Sequence, residues 1–205
     1  MNTNGRNEQK SLKSGLLIVI SGPSGVGKGT ICSELLKRDE NLALSVSATT
    51  RTPGPNEVFG RNYFFYSDKE FQDIVDRDGF LEWAEVHGKR YGTLKSQMEE
   101  VMNAGKDCIL EIDVQGGIQV DQKMPGSCIT IFVKAPSEEE LIRRITSRNR
   151  EKPEEIKRRM LTARWEMTQE EKYQYTVVND RLEEAVSQIL VIIREERSLH
   201  AAAVH

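Results

Sequence analysis

The chain has few cysteines, few histidines and no long apolar run, and each shortage removes a class of protein. Its cysteines, Cys32, Cys108 and Cys128, are odd in number and widely spaced, with no C-x-x-C pair. They read as small buried hydrophobes, which excludes a disulfide framework or a cysteine metal cage. His87, His200 and His205 form no ligand set either, and two of them fall at the C-terminal end. No run approaches the ~20 apolar residues that a membrane span needs. The stretch from Met1 to Ser14 is polar and lacks the apolar centre of a secretory signal, so it reads as a flexible extension. A cytoplasmic chain without a membrane partner is expected. Net charge is −3, which argues against a general nucleic-acid surface. No internal repeat or low-complexity tract interrupts the 205 residues, and 38% hydrophobic content suffices for one sizeable α/β core with insertions.

What is present is concentrated early. Between the apolar run Leu16-Leu17-Ile18-Val19-Ile20 and an amphipathic stretch from Thr30 lies Gly22-Pro23-Ser24-Gly25-Val26-Gly27-Lys28-Gly29-Thr30. A buried strand before and a helix start after are the setting in which a glycine-rich loop cradles phosphates. Glycines let successive backbone N–H groups turn onto an anion, the helix adds its positive end, and Lys28 adds a mobile charge. The pattern departs from G-x-x-x-x-G-K-[ST] at one place, because Gly29 stands where a hydroxyl is expected. Thr30 follows, in a G-K-G-T ending that resembles the adenylate kinases, a resemblance that implies Thr30 as the hydroxyl toward Mg²⁺. A nucleoside triphosphate is the expected ligand.

Further apolar, β-branched runs cover 45–50, 63–66, 108–113, 129–134 and 175–178. The runs at 16–20, 108–113, 129–134 and 175–178 do not alternate with polar residues, as expected for a parallel sheet covered on both faces. Helical patterns at 30–38, 95–103, 137–148, 153–171 and 182–197 separate them. Ser137 with Glu140 spells a capping box, and Pro153 suits a first helical turn. Right-handed crossovers and a three-layer core follow from this alternation. The segment 47–94 breaks the rhythm with glycine, proline and aromatics, and reads as an inserted subdomain with a small antiparallel sheet. Arg143, Arg144, Arg148, Arg150, Arg158, Arg159 and Arg164 crowd into 139–164, where 139–160 has the composition of a mobile lid. Such a cluster in an acidic chain suggests a small, highly anionic ligand. The core then comprises 15–46, 95–138 and 161–197, with a flexible tail at 198–205.

Ser47-Ala48-Thr49-Thr50-Arg51-Thr52-Pro53, Glu57-Val58-x-Gly60-x-x-Tyr63, Phe80-Leu81-Glu82-Trp83-Ala84, Tyr91-Gly92-Thr93 and Glu111-Ile112-Asp113-Val114-Gln115-Gly116 follow in order. With the phosphate loop, these motifs make the sequence resemble the guanylate kinases over residues 15–197. The resemblance implies a P-loop kinase core with a parallel sheet, an inserted GMP-binding subdomain and an Arg-rich helical lid. It implies transfer of the γ-phosphate of ATP to GMP with Mg²⁺, by a monomer or homo-oligomer. Residues 22–30 and Asn179 would meet ATP. Glu82 and Asp113, with the hydroxyls of Ser47 and Thr93, would read guanine, whose N1–H and N2–H₂ are adjacent donors. Arg51, Tyr63 and Tyr91 would hold the acceptor phosphate. Lys28, Arg51, Arg144, Arg148 and Arg159 would act on the transferring group, and Thr30 and Asp113 (through water) would face the metal. Taken alone, Tyr63 also suits an aromatic core and Glu82 a solvated surface. Many family members carry an arginine at the position of Gly54. That gap leaves open a different phosphorylated acceptor such as a ribose phosphate, and Arg90 is a conceivable replacement cation. A non-enzymatic scaffold module of the same fold is disfavoured by the retained Lys28 and lid arginines. Arg143, Arg150 and Arg158 are expected to face solvent, and Glu111, which points to the same strand end as Asp113, suits a place near the metal or a supporting role equally.

Overall fold

Leu17–Ser21 forms strand β1, all five residues buried, because the strand runs through the centre of a sheet. The computed structural model describes residues 15–86, 88–147 and 153–203. Alternate side chains of β1 divide between two cores. Ile18 and Ile20 share one with Ile31 and Leu35 of α1 (Lys28–Arg38) and with Ile189 and Ile193 of α7 (Leu182–Ala203). Leu17 and Val19 share the other with Met98 of α3 (Lys95–Asn103) and Val120 of α4 (Val114–Lys123). Burying such a side chain is worth about 1.5–3 kcal/mol, which drives the three-layer arrangement.

β2 (Leu42–Leu44), β7 (Asp107–Glu111), β8 (Ile129–Lys134) and β9 (Tyr175–Val178) complete the sheet in the order β2-β7-β1-β8-β9. Every pair is parallel, as the unalternating runs require. Ile20 lies beside Glu111 and Ser21 beside Phe132. The loops leaving β1 and β7 therefore emerge at one carboxyl edge, where open α/β sheets bind ligands.

The expected strand 45–50 is divided. Ser45 still donates its N–H to Ile109 at 2.9 Å, and the chain then leaves to begin β3 (Ala48–Thr49) in a second sheet. That sheet runs β4-β3-β6-β5, with β4 Phe64–Phe65, β5 Phe80–Val86 and β6 Lys89–Leu94. It corrects the antiparallel expectation in one place. β5/β6 and β3/β6 are antiparallel, but β3 and β4 pair in parallel. The long connection 50–63 makes this possible, since a parallel neighbour needs a crossover of about a dozen residues.

Helix α2 (Asp68–Asp76) lies inside the insertion, absent from the sequence reading. Its N-terminus carries a complete capping box: Ser67 Oγ accepts from Glu70 N–H at 3.2 Å, and a Glu70 carboxylate oxygen accepts from Ser67 N–H at 2.7 Å. At α5 (Glu138–Thr146) only half of the expected box forms. Ser137 accepts from Glu140 N–H, but the Glu140 carboxylate turns to Arg143 and Arg144. The α6 helix (Pro153–Met167) stops before the expected 171, and a 3₁₀ turn follows at Glu170–Lys172. Of the segment 198–205 expected as a tail, residues 198–203 continue helix α7, which runs to Ala203. His87, His205, Arg148, Arg150 and the 1–14 extension lie outside the described residues. All three cysteines are buried and free, as expected.

Candidate active site

The phosphate loop leaves β1 through Gly22, whose φ is +143° and whose Cα has no room for a side chain. A Cβ there would lie 2.1 Å from the Val133 carbonyl oxygen. Gly27, at φ +98°, serves as the N-cap of α1. Lys28 folds back over the loop and donates to the carbonyls of Gly22 (2.5 Å) and Pro23 (3.3 Å). Its charge is thus held at the loop mouth by weak neutral acceptors that a phosphate can replace.

Three side chains brace this loop, and one of them, Glu166, also lines the cavity described below. Asn179 donates its amide to the Val26 carbonyl at 2.8 Å. Arg159, buried on α6, donates to Ser24 Oγ at 2.9 Å. Glu166, seven residues later and on the same helical face, accepts from Ser24 N–H at 3.3 Å. Burial pushes the Glu166 carboxyl up to about 7, against the opposing charge of Lys28. Arg144 pairs with Glu140 at 2.6 Å and donates to the Asn179 carbonyl at 2.9 Å. Arg143 and Arg158 face solvent, as expected.

A cavity of about 480 Å³ opens from the loop toward the inserted subdomain. Gly25, Lys28, Thr30 and Asp113 line its core side, and Ser47, Tyr63, Glu82 and Tyr91 its far side. Glu82 is no solvated surface acid: it is 2% exposed and accepts from the equally buried Thr93 hydroxyl at 2.7 Å. Burial pushes its carboxyl up to about 7; the Thr93 bond opposes this and the charge of Asp113 adds to it. Asp113 caps α4, one oxygen accepting from the N–H groups of Gln115 (2.7 Å) and Gly116 (3.1 Å). Its second oxygen is not used by the cap.

Arg51 does not line the cavity but lies against Tyr63, which does, with its side chain partly exposed. Glu57 grips its guanidinium through two bonds of 2.8 and 2.7 Å, and the fork lies 5.3 Å from the centre of the Tyr63 ring. This pairing, with a bond from Gly54 N–H, holds the Glu57 carboxyl down to about 2. The Tyr63 and Tyr91 rings meet edge-on at 6.0 Å, and burial raises the Tyr63 phenol. Arg90 does not fill the place left by Gly54. It donates to Gln72 and the Asp68 carbonyl and stacks 4.8 Å from the Phe71 ring, fastening α2 to β6. Gly54 is not left-handed, as expected of a residue before proline.

Oxygen donors suited to a hard cation gather beside Lys28. Thr30 lines the cavity, as do Asp113 and Glu111, the last with its carboxyl raised by burial. Among the described residues no group of three or more His, Cys, Asp or Glu is arranged as a cage. One or two carboxylates plus substrate phosphates is how Mg²⁺ is commonly held, so the donor set fits. In the sequence Glu57 stands out only as part of a motif, without a role, and Glu166 not at all. Glu166 was findable, because it falls two helical turns after Arg159.

A family model described as guanylate kinase matches residues 14–196. A guanylate kinase of Caldanaerobacter subterraneus subsp. tengcongensis is 48% identical over 185 residues, covering 90% of this chain and 89% of the relative. One from Thermotoga maritima is 46% identical over 184 residues, covering 90% and 88%. The crystal structure of guanylate kinase from Anaplasma phagocytophilum superimposes with a TM-score of 0.74 at 33% identity, covering 90% of this chain and 87% of that one. Core and insertion are matched together in each case, and the chain belongs to the guanylate kinase family.

Proposed function

We infer that the cleft moves the γ-phosphate of ATP onto GMP, giving ADP and GDP. The observation that carries this is the opening of a phosphate loop and a buried, hydroxyl-bonded carboxylate into one cavity. An acceptor without a purine, such as a ribose phosphate, would leave the Glu82–Thr93 pair nothing to read. Guanine supplies two adjacent donors for Glu82 and Asp113, with Ser47 nearby. Adenine would place an acceptor against a buried acid, at a cost of roughly 1–3 kcal/mol or more.

The reaction asks little covalent work of the protein. A GMP phosphate oxygen is already anionic, so no strong general base is required, and positioning and charge stabilisation carry the rate. Lys28 exchanges its carbonyl partners for phosphate oxygens, and the loop amides and α1 take the rest of the triphosphate. Tyr63, Tyr91 and Arg51 hold the acceptor phosphate, with Glu57 fixing the guanidinium against Tyr63. Arg159 on α6 bonds Ser24 of the loop, Arg144 on α5 bonds the carbonyl of the Asn179 that braces it, and both are assigned to offset charge on the transferring group. Arg148 completes that set in the family pattern. Asn179 acts through the loop it braces. Kinases of this family work with a metal ion; we assign Mg²⁺, held by Thr30 and by Asp113 through water, and its part is to neutralise phosphate charge. Closure of insertion and lid excludes water.

This reading places the chain in the cytoplasm with ATP and GMP as its partners; no described helix is long and apolar enough to cross a membrane. A coupled ADP-release assay with GMP, AMP and ribose bisphosphate as acceptors tests it. GMP should exceed AMP by about a thousandfold in kcat/KM if both acids lose a partner. Equal values for the two nucleotides refute the roles of Glu82 and Asp113.

A further inference from the structure

We propose that Gly116 is a specificity-determining position, whose missing side chain is the space in which the Glu82 carboxylate is held for guanine. The inference rests on the base-reading role of Glu82. Gly116 lies in the first turn of α4 and is itself buried. A Cβ added there would stand 2.5 Å from Glu82 Oε2 and 3.0 Å from its carboxyl carbon, closer than unbonded atoms approach. The same residue donates its N–H to Asp113 at 3.1 Å. One glycine therefore touches both acids, bonding the first and making room for the second.

The collision is selective. The backbone of Gly116 is not left-handed, so alanine suits the helix. What must give way is the far end of Glu82, which is 2% exposed and tied to Thr93 by its other oxygen. Relief requires the carboxyl to swing away from its present place, breaking the alignment that guanine needs while the helix stays intact. The neighbouring Gly117 is an internal control. A Cβ there would lie 2.3 Å from the Tyr173 hydroxyl, which bonds the Val114 carbonyl away from the cavity.

The test compares G116A, G117A and E82Q in the full chain, with GMP, AMP and ATP kinetics and melting temperatures. G116A should raise KM for GMP about tenfold or more and shrink the GMP-to-AMP preference, the size expected for one misplaced base contact. Its ATP KM should stay within about twofold. G117A should melt lower with its GMP preference intact. Unchanged GMP preference in G116A, or equal loss in G117A, overturns the proposal. If E82Q also keeps the preference, the base-reading role itself has failed; if E82Q loses it and G116A does not, only the role of Gly116 has. Should G116A fail to fold, the G116A/E82D pair shortens the acid and relieves the collision. Recovery of the fold supports the proposal, and persistent unfolding overturns it.

Discussion

The ionisation of Glu82 should set the pH dependence of GMP binding. Guanine offers N1–H and N2–H₂ as donors, so the ionised carboxylate is the productive partner, while the protonated acid would direct a hydroxyl at a donor. Burial holds the free carboxyl at about 7, with the Thr93 bond working against this and Asp113 adding to it. Roughly a tenth of the free protein is then ready at pH 6 and roughly nine-tenths at pH 8. The apparent Kd for GMP should fall about tenfold across that window. The GMP phosphate also ionises near pH 6 and adds its own slope. E82Q keeps that second slope and removes the first, so the difference between the two profiles isolates Glu82. Calorimetric titration with GMP alone, from pH 5.5 to 8.5, reads both. Repeating it at pH 6 in buffers of different ionisation enthalpy should show nearly one extra proton released by wild type. Parallel profiles for wild type and E82Q would refute the reasoning.

Lys28→Met should lower kcat about a hundredfold or more with little change in melting temperature, since a contact that tightens in the transition state can be worth ~3 kcal/mol; retention of a third of kcat would sink the loop assignment. The raised carboxyl of Glu82 also has a stability cost, whose sign follows from linkage. Below the ordinary glutamate range both folded and unfolded chains are protonated and the cost is absent. It grows as pH rises and is complete above about 7, reaching on the order of 3 kcal/mol. E82Q should therefore melt higher than wild type at pH 8 and not at pH 4, and an equal gain at both would exclude ionisation as the cause. Gly54→Arg should lower KM for GMP by the same factor with and without Arg90→Ala, because Arg90 is committed to α2; a benefit that appears only without Arg90 would restore it as a compensating cation.

The phosphate loop was legible because its chemistry is local: glycines, lysine and flanking apolar run stand within fifteen residues. The parallel sheet was legible for a similar reason, since strands buried on both faces must be apolar throughout. Helix α4 was not, because Gly116 and Gly117 each lower helix propensity by about 1 kcal/mol relative to alanine. The structure shows why the chain accepts that loss: Glu82 and Tyr173 fill the places their side chains would take. Helix α2 was masked by the strand-like composition around it, although Ser67 and Glu70 spell its start. Arg90 was misread because its guanidinium is used on the far side of its strand, by Gln72, Asp68 and Phe71, contacts that no spacing reveals.

The loop's one departure from pattern yields to the same kind of reading. Gly29 stands where a hydroxyl is expected, and a Cβ there would lie 3.3 Å from Glu111 Oε1. A β-substituted residue would crowd a carboxylate that the parallel register places beside the loop, at the end of β7 next to Ile20. The next hydroxyl along the chain is that of Thr30, exposed in the first turn of α1. Glu111 is buried enough that its carboxyl is raised, and Lys28 is the charge that offsets this. Glycine, shifted threonine and strand-end acid are therefore one arrangement, in which moving the hydroxyl leaves space for the Glu111 carboxyl group. Restoring the usual residue by Gly29→Ser would press on Glu111 without removing Thr30, so its effect should fall on ATP kinetics and spare the preference for GMP over AMP.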